Sequence, residues 1–296
     1  MSAGALWLVF KLTDGLATVG TITSQSTYWL FGAVVSLMFI VFLLSWRWLL
    51  LCQNLSVYPS TLGYFALFRL TWASLGVSQI ALGPVSADAL RIAGLHQHGM
   101  AVSESFRVVL LDRIIGLMGL LLLTAGAVFV SVSAAYHLYF ILSIVFAVAI
   151  YLVCVKIACR LSQVLKKVLA NFHAVVATLS GQFLLMLSIL AHFANIAAYI
   201  CIAKALDLAP PLPETIVSVA AGLLSAMVPV SLGGWGIREL AIFHSFQIQN
   251  ADFDGAVSVS LIFGLLHVAM GIPGLLLFAL FQPMHAGLEQ EPERNA

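Results

Sequence analysis

Charge is what this chain lacks most: Asp, Glu, Lys and Arg supply 8% of its 296 residues, against 62% hydrophobic ones. Soluble domains carry about 25% charged residues, so this chain cannot clothe a water-facing surface and must sit in a membrane. The formal net charge of +1 offers no footprint for nucleic acid. The four cysteines (Cys52, Cys154, Cys159, Cys201) form no CxxC pair and lie in or beside apolar runs, where they read as small buried hydrophobes. The histidines are scattered, with His96 and His98 assigned to a loop and His192 and His267 to apolar spans. No HExxH spacing exists, so no metal site is expected. Neither a GxGxxG nor a GxxxxGK[ST] motif is present, and no Ser nucleophile has a specified base, so no cofactor is expected either.

Apolar runs, by contrast, are long. Segments of spanning length are Tyr28–Leu51, Ser60–Leu82, Ile114–Val132, Leu138–Ile157, Val175–Leu206, Thr215–Leu232 and Ala256–Phe281. They read as helices, because an open sheet in lipid leaves backbone groups unpaired. The first would serve as an uncleaved signal anchor, since Lys11 interrupts the earlier apolar stretch and no cleavage site follows. Lys156–His173 repeats apolar residues at helical spacing beside Lys156, Arg160, Lys166 and Lys167, the pattern of a helix lying on the membrane surface. The expected fold is therefore an all-α, polytopic helical bundle of about seven to eight hydrophobic segments. A single membrane domain over 1–285 and a polar tail over 286–296 are expected.

The bias of Lys and Arg orients the bundle. If all seven segments cross, Lys156–His173 and the loops carrying Arg91, Arg107, Arg113 and Arg238 face the cytoplasm. Ser60–Leu82 and Thr215–Leu232 can instead dip in and return, which would invert the segments that follow.

Two stretches resemble each other. Gly83-Pro84-Val85-Ser86-Ala87-Asp88-Ala89-Leu90-Arg91 and Val228-Pro229-Val230-Ser231-Leu232-Gly233-Gly234-Trp235-Gly236-Ile237-Arg238-Glu239 each follow an apolar run. Each delivers Pro-Val-Ser, then small residues, then arginine. Hydrophobic segments broken by Gly and Pro at corresponding places in two halves point to an internal two-fold repeat and a substrate site near its centre. Pro84, Pro229, Gly233, Gly234 and Gly236 are thus the candidate hinge residues.

Ionisable groups at membrane depth cost roughly 2.5–3.5 kcal/mol each on insertion scales, which marks them as functional candidates. Asp88 and Arg91 stand three apart and can pair on one helix face. Asp112 and Arg113 open the third span, and Arg238 and Glu239 follow the second glycine run. Arg47 and Arg69 lie within or near the ends of the first two spans, where snorkelling or helix positioning accounts for them. The candidate lipid-headgroup residues are Asp88, Arg91, Asp112, Arg113, Arg238 and Glu239. Guanidinium groups suit a phosphate, and helix N-termini after the glycine breaks would add N–H donors.

Together these residues resemble the polytopic family named after the transmembrane region of lysylphosphatidylglycerol synthase. The resemblance runs from about Arg47 to Phe281. It rests on Arg47-Trp48, Pro84 through Asp88 with Arg91, Leu111-Asp112-Arg113 with Gly116, and Pro229, Gly233, Gly234, Gly236, Arg238 and Glu239. The family usually shows Gly-Gly-Asp where this chain has Ser86-Ala87-Asp88, and the N-terminal apolar helix is short and broken by Lys11. In the name-giving proteins the membrane part is associated with moving lipid, and a separate soluble domain attaches the amino acid. No soluble domain fits after Phe281, so the resemblance implies lipid handling without aminoacyl transfer.

The expectation is a flippase of a phospholipid or other anionic lipid or glycolipid in cell-envelope biogenesis, in a bacterial inner membrane. Its partners would be the lipid itself and a separate synthase or glycosyltransferase. Two other classes stay open. One is an integral membrane transferase with Asp88 or Glu239 as general base. The other is a non-catalytic accessory subunit of envelope assembly.

Overall fold

The computed structural model describes residues 24–55, 62–81, 83–131, 178–227, 232–249 and 255–280. The described residues form eight α-helices and one 3₁₀ turn, with no strand among them. The helices are α1 (Ser24–Asn54), α2 (Tyr64–Ile80), α3 (Pro84–Gln97), α4 (Val102–Ser131), α5 (Leu179–Ala205), α6 (Leu212–Ala226), α7 (Ile237–Ile248) and α8 (Ala256–Leu280). The 3₁₀ turn is Leu232–Gly234. Leu138–Ile157, the surface helix Lys156–His173, Pro229 and the tail 286–296 lie outside the described residues.

Four helices are long and apolar enough to cross a bilayer: Ser26–Asn54, Val102–Phe129, Leu179–Ala205 and Ala256–Leu280. Their outer faces carry large apolar side chains that remain about half exposed or more. On α1 these are Tyr28, Phe31, Val35, Phe39, Phe42 and Trp46, recurring every three or four residues. Such a stripe is a lipid-facing surface.

The other four helices are shorter, at 17 (α2), 14 (α3), 15 (α6) and 12 (α7) residues. At 1.5 Å per residue they measure about 18–26 Å, less than a hydrocarbon core of about 30 Å. They form two antiparallel hairpins. In the first, Arg91 Nε donates to Ser74 Oγ at 3.0 Å, and Gly94 sits against Leu70. In the second, Ser218 Oγ donates to Ser245 Oγ at 3.1 Å, and the Gln249 amide reaches the Glu214 carbonyl at 3.4 Å. Tyr64–Ile80 and Leu212–Ala226, within or overlapping the expected spans Ser60–Leu82 and Thr215–Leu232, are therefore each the first arm of a hairpin and too short for a full crossing.

Helix α8 shows where the hairpins lie. Its N-terminal half carries the second, since Ser260 Oγ donates to Glu239 and Phe263 lies beneath the Arg238 guanidinium. Its C-terminal half carries the first: Trp72 Nε1 donates to the Met270 carbonyl at 2.6 Å, and Gly76 meets Gly271 backbone to backbone. A Cβ on Gly76 would stand 2.7 Å from the Gly271 oxygen, so only glycine permits this approach. The two hairpins thus enter from opposite faces and point at each other. We call the face holding the open end of the first hairpin face I, and that of the second face II.

The tips touch. Gly233 N–H donates to the Ala81 carbonyl at 3.0 Å, and Gly83 faces the Ala226 carbonyl. Gly83 (φ 57°) and Gly233 (φ 59°) both adopt the left-handed region that side chains disfavour. The expected repeat is visible in the path: α1–α4 and α5–α8 each run long helix, hairpin, long helix. Helix α1 lies antiparallel to α5, with Arg47 beside Ser188 and Gly32 beside Cys201. Each hairpin's first arm packs on the other repeat's last helix, α2 on α8 and α6 on α4. Apolar clusters among the described residues gather around Trp48, Leu70, Leu95 and Leu111, around Tyr199, Val219, Phe246 and Phe263, and, in a smaller third, around Leu43, Leu187 and Ala191.

Candidate functional site

Where the tips meet, a cavity of about 260 Å³ opens between the two repeats. Leu37, Ile40, Val41 and Leu44 of α1, with Leu117 and Leu120 of α4, form an apolar wall. Both hairpin tips contribute, through Gln79, Gly83, Pro84, Met227 and Gly233. Arg47, Arg91, Asp112 and Arg113 make an ionic end, and His192, Asn195 and His267 a second polar patch.

The ionic end is built across three helices. Asp112 is buried and stands well inside α4, not at its opening, because that helix already begins at Val102. Arg47 Nε donates to Asp112 Oδ1 at 2.9 Å, and Arg91 Nη1 donates to Oδ2 at 3.1 Å. Ser188 Oγ accepts from Arg47 Nη1 at 3.1 Å, and the Arg91 guanidinium lies over the Trp48 ring at 4.9 Å. Asp88 does not pair with Arg91, its neighbour on α3. It takes a forked pair of hydrogen bonds from Arg113, at 2.9 Å from Nε and 2.7 Å from Nη2. Arg113 Nη2 also reaches the Pro84 carbonyl at 3.3 Å, tying the ionic end to the hinge. Three arginines thus meet two aspartates, leaving one positive charge in excess. Among the described residues, Arg91 Nη2 and Arg113 Nη1 have no protein acceptor.

Arg238 and Glu239 form a separate cluster that does not line the cavity. Glu239 is fully buried at the N-terminus of α7. Its Oε2 accepts the Gly236 N–H at 2.6 Å, and its Oε1 accepts from Arg238 Nη2 at 2.6 Å and from Ser260 Oγ at 3.2 Å. One backbone donor that could greet an external anion, the Gly236 N–H, is thus engaged by the protein's own carboxylate. Gly234 and Gly236 shape this turn with positive φ, 78° and 85°.

Sequence reasoning thus named the charged residues but paired some of them wrongly. It set Arg47 aside as a positioning residue, whereas Arg47 sits on the cavity wall holding Asp112. Ser74, Ser188 and Asn195 carry no sequence signal, being ordinary residues inside apolar helices. His96 and His98, expected in a loop, occupy the last turn and cap of α3, with Nδ1–H of each donating to a backbone carbonyl.

Helical membrane architecture with two opposed hairpins meeting at a charged cavity defines the class: a polytopic protein built from inverted repeats. The sequence profile of the lysylphosphatidylglycerol synthase transmembrane region matches residues 1–274, and the chain belongs to that family. It is thereby a membrane protein of a lipid-related family. No curated protein matches it.

Proposed function

We propose that this protein binds an anionic lipid in the cavity and carries its headgroup between the two leaflets of a bacterial inner membrane. The observation that carries this reading is the arginine excess on a cavity wall at the junction of the hairpin tips. A phosphate would meet Arg91 Nη2 and Arg113 Nη1, whose other donors are fixed by Asp112, Asp88 and Ser74. The apolar wall on α1 and α4 suits acyl chains, so one cavity offers both halves of a lipid. Because Arg113 also holds Pro84, headgroup binding would bear directly on a hinge. A lipid made by a separate synthase or glycosyltransferase would be the cargo.

The face holding the first hairpin's open end is the cytoplasmic one in this reading. The arginine-bearing helix ends, with Arg107 opening α4, lie toward face I, while face II holds Lys204 beside Asp207 and Glu214. A transferase would need a carboxylate free to act as base. Glu239 and Asp88 are both engaged by arginine, which favours transport.

The test is lipid movement in proteoliposomes holding the full chain, followed by dithionite quenching of a fluorescent phosphatidylglycerol. Movement with unchanged lipid mass is expected, slowed at least tenfold by Arg91→Gln. Chemical alteration of the lipid would instead mark an enzyme. Neither movement nor alteration would mark an accessory role and remove the proposal.

A further inference from the structure

We infer that the cavity takes up one proton with each singly charged headgroup, on the imidazole pair of His192 and His267. This inference rests on the anionic-lipid reading and adds the ion that moves with the lipid.

Both rings border the cavity, His192 from α5 and His267 from α8, the long helices of the second repeat. In each ring one nitrogen is committed to a backbone carbonyl. His192 Nε2–H donates to Gly116 at 3.0 Å, and His267 Nδ1–H donates to Phe263 at 2.8 Å. A carbonyl can only accept, so these bonds fix the tautomers of the neutral rings and leave lone pairs on His192 Nδ1 and His267 Nε2. His192 Nδ1 is buried without a hydrogen-bond partner, and His267 Nε2 has none among the described residues. Each can accept a proton without breaking the bond that holds its ring. The Gly116 carbonyl also accepts from Ser188 Oγ at 3.3 Å, and Ser188 Oγ accepts from Arg47 Nη1. His192 is thereby tied to the ionic end.

The charges around the rings decide when a proton joins. Toward His192, α1 brings Arg47, α4 brings Asp112 and Arg113, and α8 brings His267. Helix α6 bears Glu214 in its first turn, toward face II. Toward His267, α7 brings Arg238 and Glu239, whose charges cancel, and α5 brings His192 and the neutral Tyr199. Helix α2 brings the amide of Gln79, while its Arg69 lies beyond the Trp72–Gly274 contact, away from His267. With both rings neutral, the ionic end carries one positive charge in excess, which opposes a further proton in the same small cavity. A phosphate diester cancels that excess, and one proton then restores it without exceeding it. A second proton would double it, so the count is one. By linkage, the proton raises the affinity for the anion by the same factor as the anion raises that for the proton. The imidazole takes the proton from the acidic aqueous side and returns it to the other side. Lipid and proton together move no net charge.

The experiment uses proteoliposomes holding the full-length protein, with fluorescent phosphatidylglycerol as the probe and protein-free vesicles as the baseline. Either a pH gradient or a potassium-diffusion potential at equal pH is imposed. The pH gradient should enrich the probe in the leaflet facing the alkaline side, by roughly threefold and at most about tenfold per pH unit, the limit for one coupled proton. A potential of either sign should leave the distribution even. In parallel, the affinity of the purified protein for the same probe should rise about fivefold as pH falls through the imidazole range. His192→Gln combined with His267→Asn supplies amide donors for both carbonyls but accepts no proton, so in this variant the affinity should be flat with pH. An even distribution of a probe that still moves overturns the proton and leaves the lipid reading standing. A probe driven by the potential overturns the count of one. Affinity that still rises with acidity in the double variant overturns the two histidines as the site. No movement under any condition overturns the lipid reading and the proton with it.

Discussion

Two charge clusters among the described residues are both built from arginine and carboxylate and do different things. Around Asp112, three arginines share two aspartates across α1, α3 and α4, and some guanidinium donors have no acceptor among the described residues. Around Glu239, one arginine meets one glutamate, and a backbone N–H and a serine hydroxyl complete the carboxylate's partners. The second cluster is neutral and pins the tip of the second hairpin to α8. The first is unbalanced and borders a cavity. What distinguishes a binding site from a structural pin in this fold is the charge count and the bordering cavity, not the presence of arginine beside a glycine break.

Breaking the pin should have the largest effect. Glu239→Ala leaves a buried guanidinium without its counter-ion and should lower folding stability by about 3–5 kcal/mol, read as the melting temperature in detergent. Arg238→Ala should do the same in the other direction, stranding the carboxylate. If stably folded Arg238→Ala protein instead lost only lipid binding, the contrast between the clusters would collapse.

Arg91→Gln should act on binding, by roughly 1.5–3 kcal/mol or ten- to a hundredfold in the affinity for phosphatidylglycerol. Its expected signature against Glu239→Ala is a larger loss of affinity relative to the loss of melting temperature, measured on the same samples. Arg113→Lys should cost less, about 1 kcal/mol in affinity, because the point charge survives while the planar fork toward Asp88 is lost. The Arg113 side chain is also 30% exposed, so solvent already weakens its pair. A null result for Arg113→Lys together with a large one for Arg91→Gln would place the phosphate wholly at Arg91.

Arg107→Gln gives the smallest effect and serves as the control. Arg107 pairs with Glu104 one turn away on α4. Such pairs contribute about 0.2–0.5 kcal/mol. Neither melting temperature nor lipid affinity should move measurably, and a marked loss of affinity would extend the site to the end of α4.

Much of this was legible from residue order. The long spans α1, α5 and α8 lie close to their expected limits, because an uninterrupted apolar run in lipid has no alternative to helix. Gly83 and Gly233 mark the hairpin tips because positive φ at a turn is a local demand that sequence records. Pairing was not legible. Asp88 and Arg91 share a helix at a spacing that permits a bridge, yet Arg113 and Asp112 compete for them from α4 with better-placed oxygens and nitrogens. The start of α4 was missed for a related reason: Ser103, Glu104, Ser105, Arg107, Asp112 and Arg113 interrupt its hydropathy, although all are helical.

Composition and patterning alone determined that this is a helical membrane protein with two related interruptions, because an apolar chain must satisfy its backbone internally and glycine must appear where the backbone turns. The tertiary structure decided that the interruptions are opposed hairpins, that Arg47, Arg91 and Arg113 share two aspartates beside a cavity, and that Arg238 does not line it. Those outcomes depend on which helices become neighbours. The helices involved are separated by as much as 198 residues in the chain, as Trp72 and Met270 are, and no local pattern encodes the distance between groups that meet only when the helices pack.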